Sequence, residues 1–155
     1  NGDGKVDFLW RHNSGTVGVW LMDGTTITSA ANIGAVGSDW KIVGVGDLNG
    51  DGKSDILWRH DSGAVGAWLL NGSSLVSALN IATIGNDWHL AAAGDLNGDG
   101  KSDILWRHDN GTVGYWLMNG NAILSAGNIT SPGNDWHIVG GEHDHPILPP
   151  APGPC

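Results

Sequence analysis

One cysteine, one phenylalanine and one tyrosine occur in 155 residues. The single cysteine, Cys155, cannot form a disulfide within the chain, so cysteine usage excludes a disulfide framework and does not reveal the compartment. Lys and Arg together number 7 against 16 Asp and Glu, a formal net charge of −9. That deficit argues against a nucleic-acid surface, which needs basic side chains to displace counterions from phosphates. No apolar run is long enough to span a bilayer as a helix, and no signal-peptide pattern is present. The first residue is Asn1 and not Met, which fits a processed or excised product. Apolar residues do not recur at the 3.6-residue period, which excludes helical repeats.

What is abundant is glycine, 26 residues, and tryptophan, 9 residues. Trp10, Trp58 and Trp106 are 48 residues apart, and so are Trp20, Trp68 and Trp116, and Trp40, Trp88 and Trp136. Internal repetition of this length decides the architecture. The units are 1–48, 49–96 and 97–144, with a proline-rich tail at 145–155. Each unit reads as four strands, in the second at about 55–60, 64–70, 75–81 and 89–93. Asp61-Ser62-Gly63 is a tight turn, and Asn71-Gly72 is a strong hairpin signal because both residues tolerate positive φ. In Val65-Gly66-Ala67-Trp68-Leu69-Leu70 both faces are apolar or small, whereas a sheet open to water on one side alternates. Sheets buried on both faces must stack, with Gly18, Gly66 and Gly114 expected to let them approach. The expected fold is all-β: three tandem four-stranded antiparallel blades of β-propeller type, open because three cannot close.

A nine-residue acidic stretch punctuates the repeat: Asp47-Leu48-Asn49-Gly50-Asp51-Gly52-Lys53-Ser54-Asp55, then Asp95 to Asp103, with a shortened copy at Asn1 to Asp7. Oxygen-bearing side chains fall at positions 1, 3, 5 and 9, and glycines at 4 and 6. That is a hard-cation pattern, since calcium takes six to eight oxygens. Carboxylates so close repel one another unless a cation lies between them. A bland alternative is a solvated acidic turn, which the recurrence at one spacing disfavours. The expected ligands are Asp47, Asn49, Asp51, the Lys53 carbonyl and Asp55; Asp95, Asn97, Asp99, the Lys101 carbonyl and Asp103; and Asn1, Asp3, the Lys5 carbonyl and Asp7. An EF-hand is excluded, because its twelfth position needs a bidentate Glu and here holds Trp10, Trp58 or Trp106. With so much acidity in these loops, a calcium-loaded chain would be nearer neutral.

The stretch Gly46-Asp47-Leu48-Asn49-Gly50-Asp51-Gly52-Lys53-Ser54-Asp55-Ile56-Leu57-Trp58-Arg59 resembles the FG-GAP/VCBS repeat, the blade unit of integrin-α-type propellers and of many secreted bacterial proteins. The resemblance covers residues 1 to about 141. It implies that the Asp, Asn, Asp and Asp side chains and one backbone carbonyl hold Ca2+ in a loop between strands. It reaches the first copy less completely, because the leading Asp is missing. Such propellers are usually seven-bladed, so three blades imply either part of a longer chain or copies that assemble. Glu142 or Asp144 of another copy is expected to complete the site begun by Asn1, Asp3 and Asp7.

The leading functional expectation is a calcium-stabilised, secreted structural or adhesion repeat protein whose blades stack between copies into a ring or filament. The alternative is a carbohydrate- or protein-binding module, lectin-like or integrin-like, within a longer secreted protein. Tryptophans could be sugar platforms, but recurrence in every unit favours core packing. His12, His60 and His108, each following an Arg, read as structural hydrogen-bonding residues. Glu142-His143-Asp144-His145 could hold a transition metal, but reads better as a polar turn; Cys155 could cross-link chains or be an ordinary thiol. Asn71, Asn110 and Asn128 match the glycosylation acceptor pattern, which chance also produces in Asn-rich turns. Catalysis is not expected, because an active site needs local asymmetry and these ionisable residues recur in register.

Overall fold

The computed structural model describes residues 1–5 and 7–139. Those residues form eleven strands and no helix: β1 (Phe8–Arg11), β2 (Thr16–Asp23), β3 (Thr26–Ala35), β4 (Trp40–Gly46), β5 (Asp55–His60), β6 (Ala64–Asn71), β7 (Ser74–Thr83), β8 (Trp88–Gly94), β9 (Asp103–His108), β10 (Val113–Asn119) and β11 (Ala122–Thr130). All pairings are antiparallel, in three sheets ordered β1-β2-β3, β4-β5-β6-β7 and β8-β9-β10-β11. No barrel closes among them.

Sheet membership differs from the sequence expectation. The strand at 89–93 was expected to end the unit that 55–60 begins. In the structure β8 pairs with β9, from Trp88 opposite His108 to Gly94 opposite Asp103. The acidic loop therefore lies inside a sheet, between its first and second strands. The crossing between sheets is instead the short connection after β3 and after β7. An arginine enforces it. The Arg59 guanidinium donates to the carbonyls of Gly63 at 2.5 Å, Ile84 at 3.2 Å, Gly85 at 2.8 Å and Trp88 at 3.3 Å. It also lies 5.4 Å from the Trp106 ring centroid in the next sheet. Arg11 makes the same set with Gly15, Val36, Gly37 and Trp40, and lies 5.2 Å from the Trp58 ring. One fork thus fixes a turn, a crossover and a neighbouring aromatic. Gly63 is required beneath it: φ is +100°, and a Cβ would overlap the Ile84 carbonyl oxygen.

Two cores fill the spaces between sheets. Val17, Val19, Ile33, Ile56, Trp58, Trp68 and Leu70 form the first. Leu48, Leu57, Val65, Ala67, Ile104, Trp106, Trp116 and Met118 form the second. Each has a tryptophan pair, Trp58 with Trp68 tilted at 5.0 Å and Trp106 with Trp116 edge-on at 4.9 Å between ring centroids. These separations suit aromatic rings, whose quadrupoles disfavour face-to-face stacking. The glycine expectation needs correction. Gly66 and Gly114 seat Trp40 and Trp88 of their own sheets. Close approach between sheets falls to Gly34, where a Cβ would lie 2.8 Å from Trp68, and to Gly46, where it would lie 2.7 Å from the Ser102 hydroxyl.

Histidines brace the sheet ends. His60 donates to Asp39 at 2.7 Å, accepts the Ser62 N–H at 2.9 Å and meets Trp40 edge-on. His108 repeats this with Asp87, Asn110 and Trp88.

Candidate metal centre

The acidic loops are built from their own backbone. Asp47 Oδ1 accepts the N–H of Gly50 at 2.8 Å and of Asp51 at 3.1 Å, while Oδ2 accepts Gly52 N–H at 2.8 Å. Asp95 does the same with Gly98, Asp99 and Gly100. Asn49 accepts Asp51 N–H, and Asp51 accepts Lys53 N–H at 2.9 Å. The chain must curl tightly around its first Asp, and Gly50 and Gly52 make this possible at φ +77° and +81°.

The ninth position anchors the loop to the sheet. Asp55 is fully buried; Oδ1 accepts Leu70 N–H at 3.0 Å and Oδ2 accepts Leu48 N–H at 2.9 Å. Asp103, also fully buried, accepts Met118 and Leu96 N–H, both at 2.8 Å. Burial pushes both carboxyls above the ordinary aspartate range. Backbone N–H groups pull them back, and repulsion by Asp51 and Asp47, or by Asp99 and Asp95, pushes them up again. Asp95 goes the other way: burial raises it, but the N–H groups of Gly100, Gly98, Asp99 and Asn97 outweigh burial and lower it.

Asp95, Asp99 and Asp103 each offer an oxygen within 4.8 Å of the others, the one such trio of acidic or metal-ligating side chains among the described residues. Asp47, Asp51 and Asp55 are close enough to repel but are not gathered so tightly. In the first copy Asn1 accepts Asp3 N–H, Asp3 accepts Lys5 N–H, and Asp7 accepts Met22 N–H and the Asn1 ammonium. Among the described residues no Lys or Arg pairs with a loop carboxylate. Glu142, His143, Asp144, His145 and Cys155 lie outside the described residues.

The donor set fits calcium. A carboxylate has about four lone-pair sites, so Asp103 keeps two beyond its N–H partners. Every candidate donor is a hard oxygen, with no imidazole or thiolate in the loop to favour zinc or copper. The loops also nest. A Cβ on Gly2 would overlap the Gly52 carbonyl oxygen, and one on Gly50 would lie 3.2 Å from Lys101 Cγ. Ser102 N–H donates to the Asp47 carbonyl at 2.6 Å, and Gly120 N–H to the Leu48 carbonyl at 2.8 Å. Sequence reasoning found the side-chain oxygens but missed these backbone partners. It also left the recurring Arg11, Arg59 and Arg107 without a role, although their 48-residue spacing marked them.

A family model for the FG-GAP-like repeat matches residues 1–58 and 47–106. No curated protein matches the chain.

Proposed function

The chain belongs to the FG-GAP-like repeat family, and on that premise we propose that it is a calcium-stabilised structural or adhesion module working outside the cell. The family points to an extracellular repeat module of this type, and no helix of the described residues is long and apolar enough to cross a membrane. The blades are the three sheets β1–β3, β4–β7 and β8–β11, set out of phase with the sequence repeats at 1–48, 49–96 and 97–144. Ca2+ is held by Asp95, Asn97, Asp99, Asp103 and the Lys101 carbonyl, and by the equivalent set from Asp47 to Asp55. Asn1, Asp3, Asp7 and the Lys5 carbonyl form an incomplete third set. Copies stack through their end sheets into a ring or filament. The role is non-enzymatic, because the ionisable groups serve loops and sheet ends that repeat.

One observation carries this reading: a buried Asp103 shares its corner with Asp95 and Asp99, and among the described residues no cationic side chain pairs with them. A cation there turns repulsion into attraction, and its binding energy adds to folding energy. Millimolar calcium, as found outside the cell, suits loops of this kind. Thermal melts with calcium and with excess chelator test it. A rise of many degrees on calcium is expected; identical melts would overturn the reading. Asn71, Asn110 and Asn128 are exposed, and mass spectrometry of protein secreted from a glycosylating host reads their modification.

Exposed Trp10 and Trp20 give the glycan-binding reading its one support. They line a cavity of about 360 Å³ with His12, Thr16 and Asn32. Their counterparts Trp58, Trp68, Trp106 and Trp116 are buried against the preceding sheet, which favours stacking. Saturable quenching of Trp fluorescence by a free sugar would reverse that preference.

A further inference from the structure

The two complete acidic loops carry the same residue at every position from Asp47 to Asp55 and from Asp95 to Asp103. They differ in readiness. Asp95, Asp99 and Asp103 already offer oxygens within 4.8 Å of one another, and Asp47, Asp51 and Asp55 are not gathered to that degree. Since the residues match, the difference lies in what each loop touches.

The 47–55 loop is held by the 95–103 loop. Ser102 directly precedes the buried Asp103, and its N–H donates to the Asp47 carbonyl at 2.6 Å. A Cβ on Gly46 would lie 2.7 Å from the Ser102 hydroxyl and 2.9 Å from its Cβ, so Ser102 sits on the backbone that enters the earlier loop. Asp47 in turn is the residue around which that loop curls, accepting the N–H groups of Gly50, Asp51 and Gly52. A second thread leaves from the other side of Asp103. Met118 N–H donates to Asp103, and two residues on, Gly120 N–H donates to the Leu48 carbonyl at 2.8 Å. Leu48 is fully buried, and its own N–H donates to Asp55. The first and ninth positions of the earlier loop are thus both tied to groups that adjoin or hold Asp103. Buried backbone groups are rarely left unpaired, so Asp47 and Leu48 must follow Ser102 and Gly120 when these settle.

We propose that the two loops bind calcium cooperatively: order gained at the 95–103 loop when it holds the ion passes through Ser102 to Asp47 and raises the affinity of the 47–55 loop. The coupling rests on the reading of these loops as calcium sites and names how one regulates the other. A loop whose anchors are already fixed loses less conformational entropy when it closes on an ion. Repulsion between two bound ions opposes the coupling, but weakly. The negative neighbours of Asp55 are Asp51 and Asp47, and those of Asp103 are Asp99 and Asp95, each set from its own loop. Exposed charges farther apart than about 8 Å are largely screened by salt, whereas a direct backbone hydrogen bond is not. The 95–103 loop fills first and the 47–55 loop follows. Linkage makes the effect mutual, each site strengthening the other by the same factor.

Amide NMR during a calcium titration of the metal-free 155-residue protein reads the loops separately. Gly50 and Gly52 report on one loop, Gly98 and Gly100 on the other. Three variants are compared with the parent: Asp99→Asn, Gly46→Ala and the two together. Asp99→Asn removes a ligand charge while its Oδ1 still accepts Lys101 N–H. Gly46→Ala alters no ligand and is free of backbone strain, because Gly46 does not have positive φ; its Cβ pushes Ser102 away from Asp47. In the parent, Gly98 and Gly100 should shift at lower calcium than Gly50 and Gly52. Asp99→Asn should raise the midpoint at Gly50 and Gly52 about fivefold or more, although it touches no ligand of their loop. With Gly46→Ala already present, adding Asp99→Asn should leave that midpoint where it was. A Gly50 and Gly52 midpoint unmoved by Asp99→Asn overturns the coupling and leaves independent calcium sites. A midpoint that Asp99→Asn still moves beside Gly46→Ala overturns Ser102 as the route. Loop amides that ignore calcium in the parent overturn the calcium reading itself.

Discussion

Asp103 answers two backbone donors and two negative neighbours with a single carboxylate. Asn in its place keeps the shape but presents an amide N–H₂ to one of those N–H groups. Leaving a buried donor unmatched costs about 1–3 kcal/mol. Without metal, relief of repulsion from Asp99 and Asp95 offsets part of that cost. With calcium nothing offsets it, because a ligand charge is also gone. Asp103→Asn should therefore shrink the rise in Tm that calcium gives, more than it lowers Tm in chelator; an undiminished calcium response would rule out Asp103 as a ligand. Asp39 supports a different expectation. Its hydrogen bond from His60 holds the carboxyl below the usual value of about 3.9. A lowered carboxyl stabilises the fold above its unfolded pKa, and that stabilisation fades as pH falls through the folded value. The gap in Tm between the parent and Asp39→Asn should be constant near neutrality and close below about pH 4.

At the scale of strands and turns, the arginine clamp decides which sheet a strand joins. Lys at position 59 keeps the charge but is a point donor that cannot span the carbonyls of Gly63, Ile84, Gly85 and Trp88. Loss of hydrogen bonds to a charged group should cost roughly 2–3 kcal/mol in urea unfolding. Arg107→Lys should cost less in the single copy, since no further sheet brings a tryptophan under its guanidinium among the described residues. Equal costs would mean the ring contact contributes nothing. The clamp also shows why the strands were legible and their partners were not. Apolar runs such as Ile56-Leu57-Trp58 and turns such as Asn71-Gly72 are local signals, and β5 to β7 fall within about two residues of expectation. Whether 88–94 closes one sheet or opens the next is set by contacts 20 or more residues away, such as Trp88 with His108. The gathering of acidic side chains in these loops was legible because their spacing is local. The N–H groups of Leu70 and Met118 that hold the ninth Asp were not, because they arrive from a strand 15 residues on.

Over the whole molecule, the same tryptophan pair occurs three times in two environments. Trp58–Trp68 and Trp106–Trp116 are enclosed between sheets, while Trp10–Trp20, at 4.7 Å, faces outward from the first sheet. Burial, not identity, should therefore set the cost of removing each. Trp58→Ala empties a packed space and should cost about 3–5 kcal/mol, which for a chain of this length lowers Tm by about 10 °C or more. Trp10 is already half exposed and leaves little cavity, so Trp10→Ala should cost about 1–2 kcal/mol in dilute protein. The order should change with concentration. If copies stack end to end, Trp10 enters a core like that of Trp58, and the Tm deficit of Trp10→Ala should grow as the parent protein assembles and gains stability by mass action. Melts across a hundredfold concentration range check this: a Trp10→Ala deficit that stays flat while the parent assembles would place Trp10 outside the contact between copies.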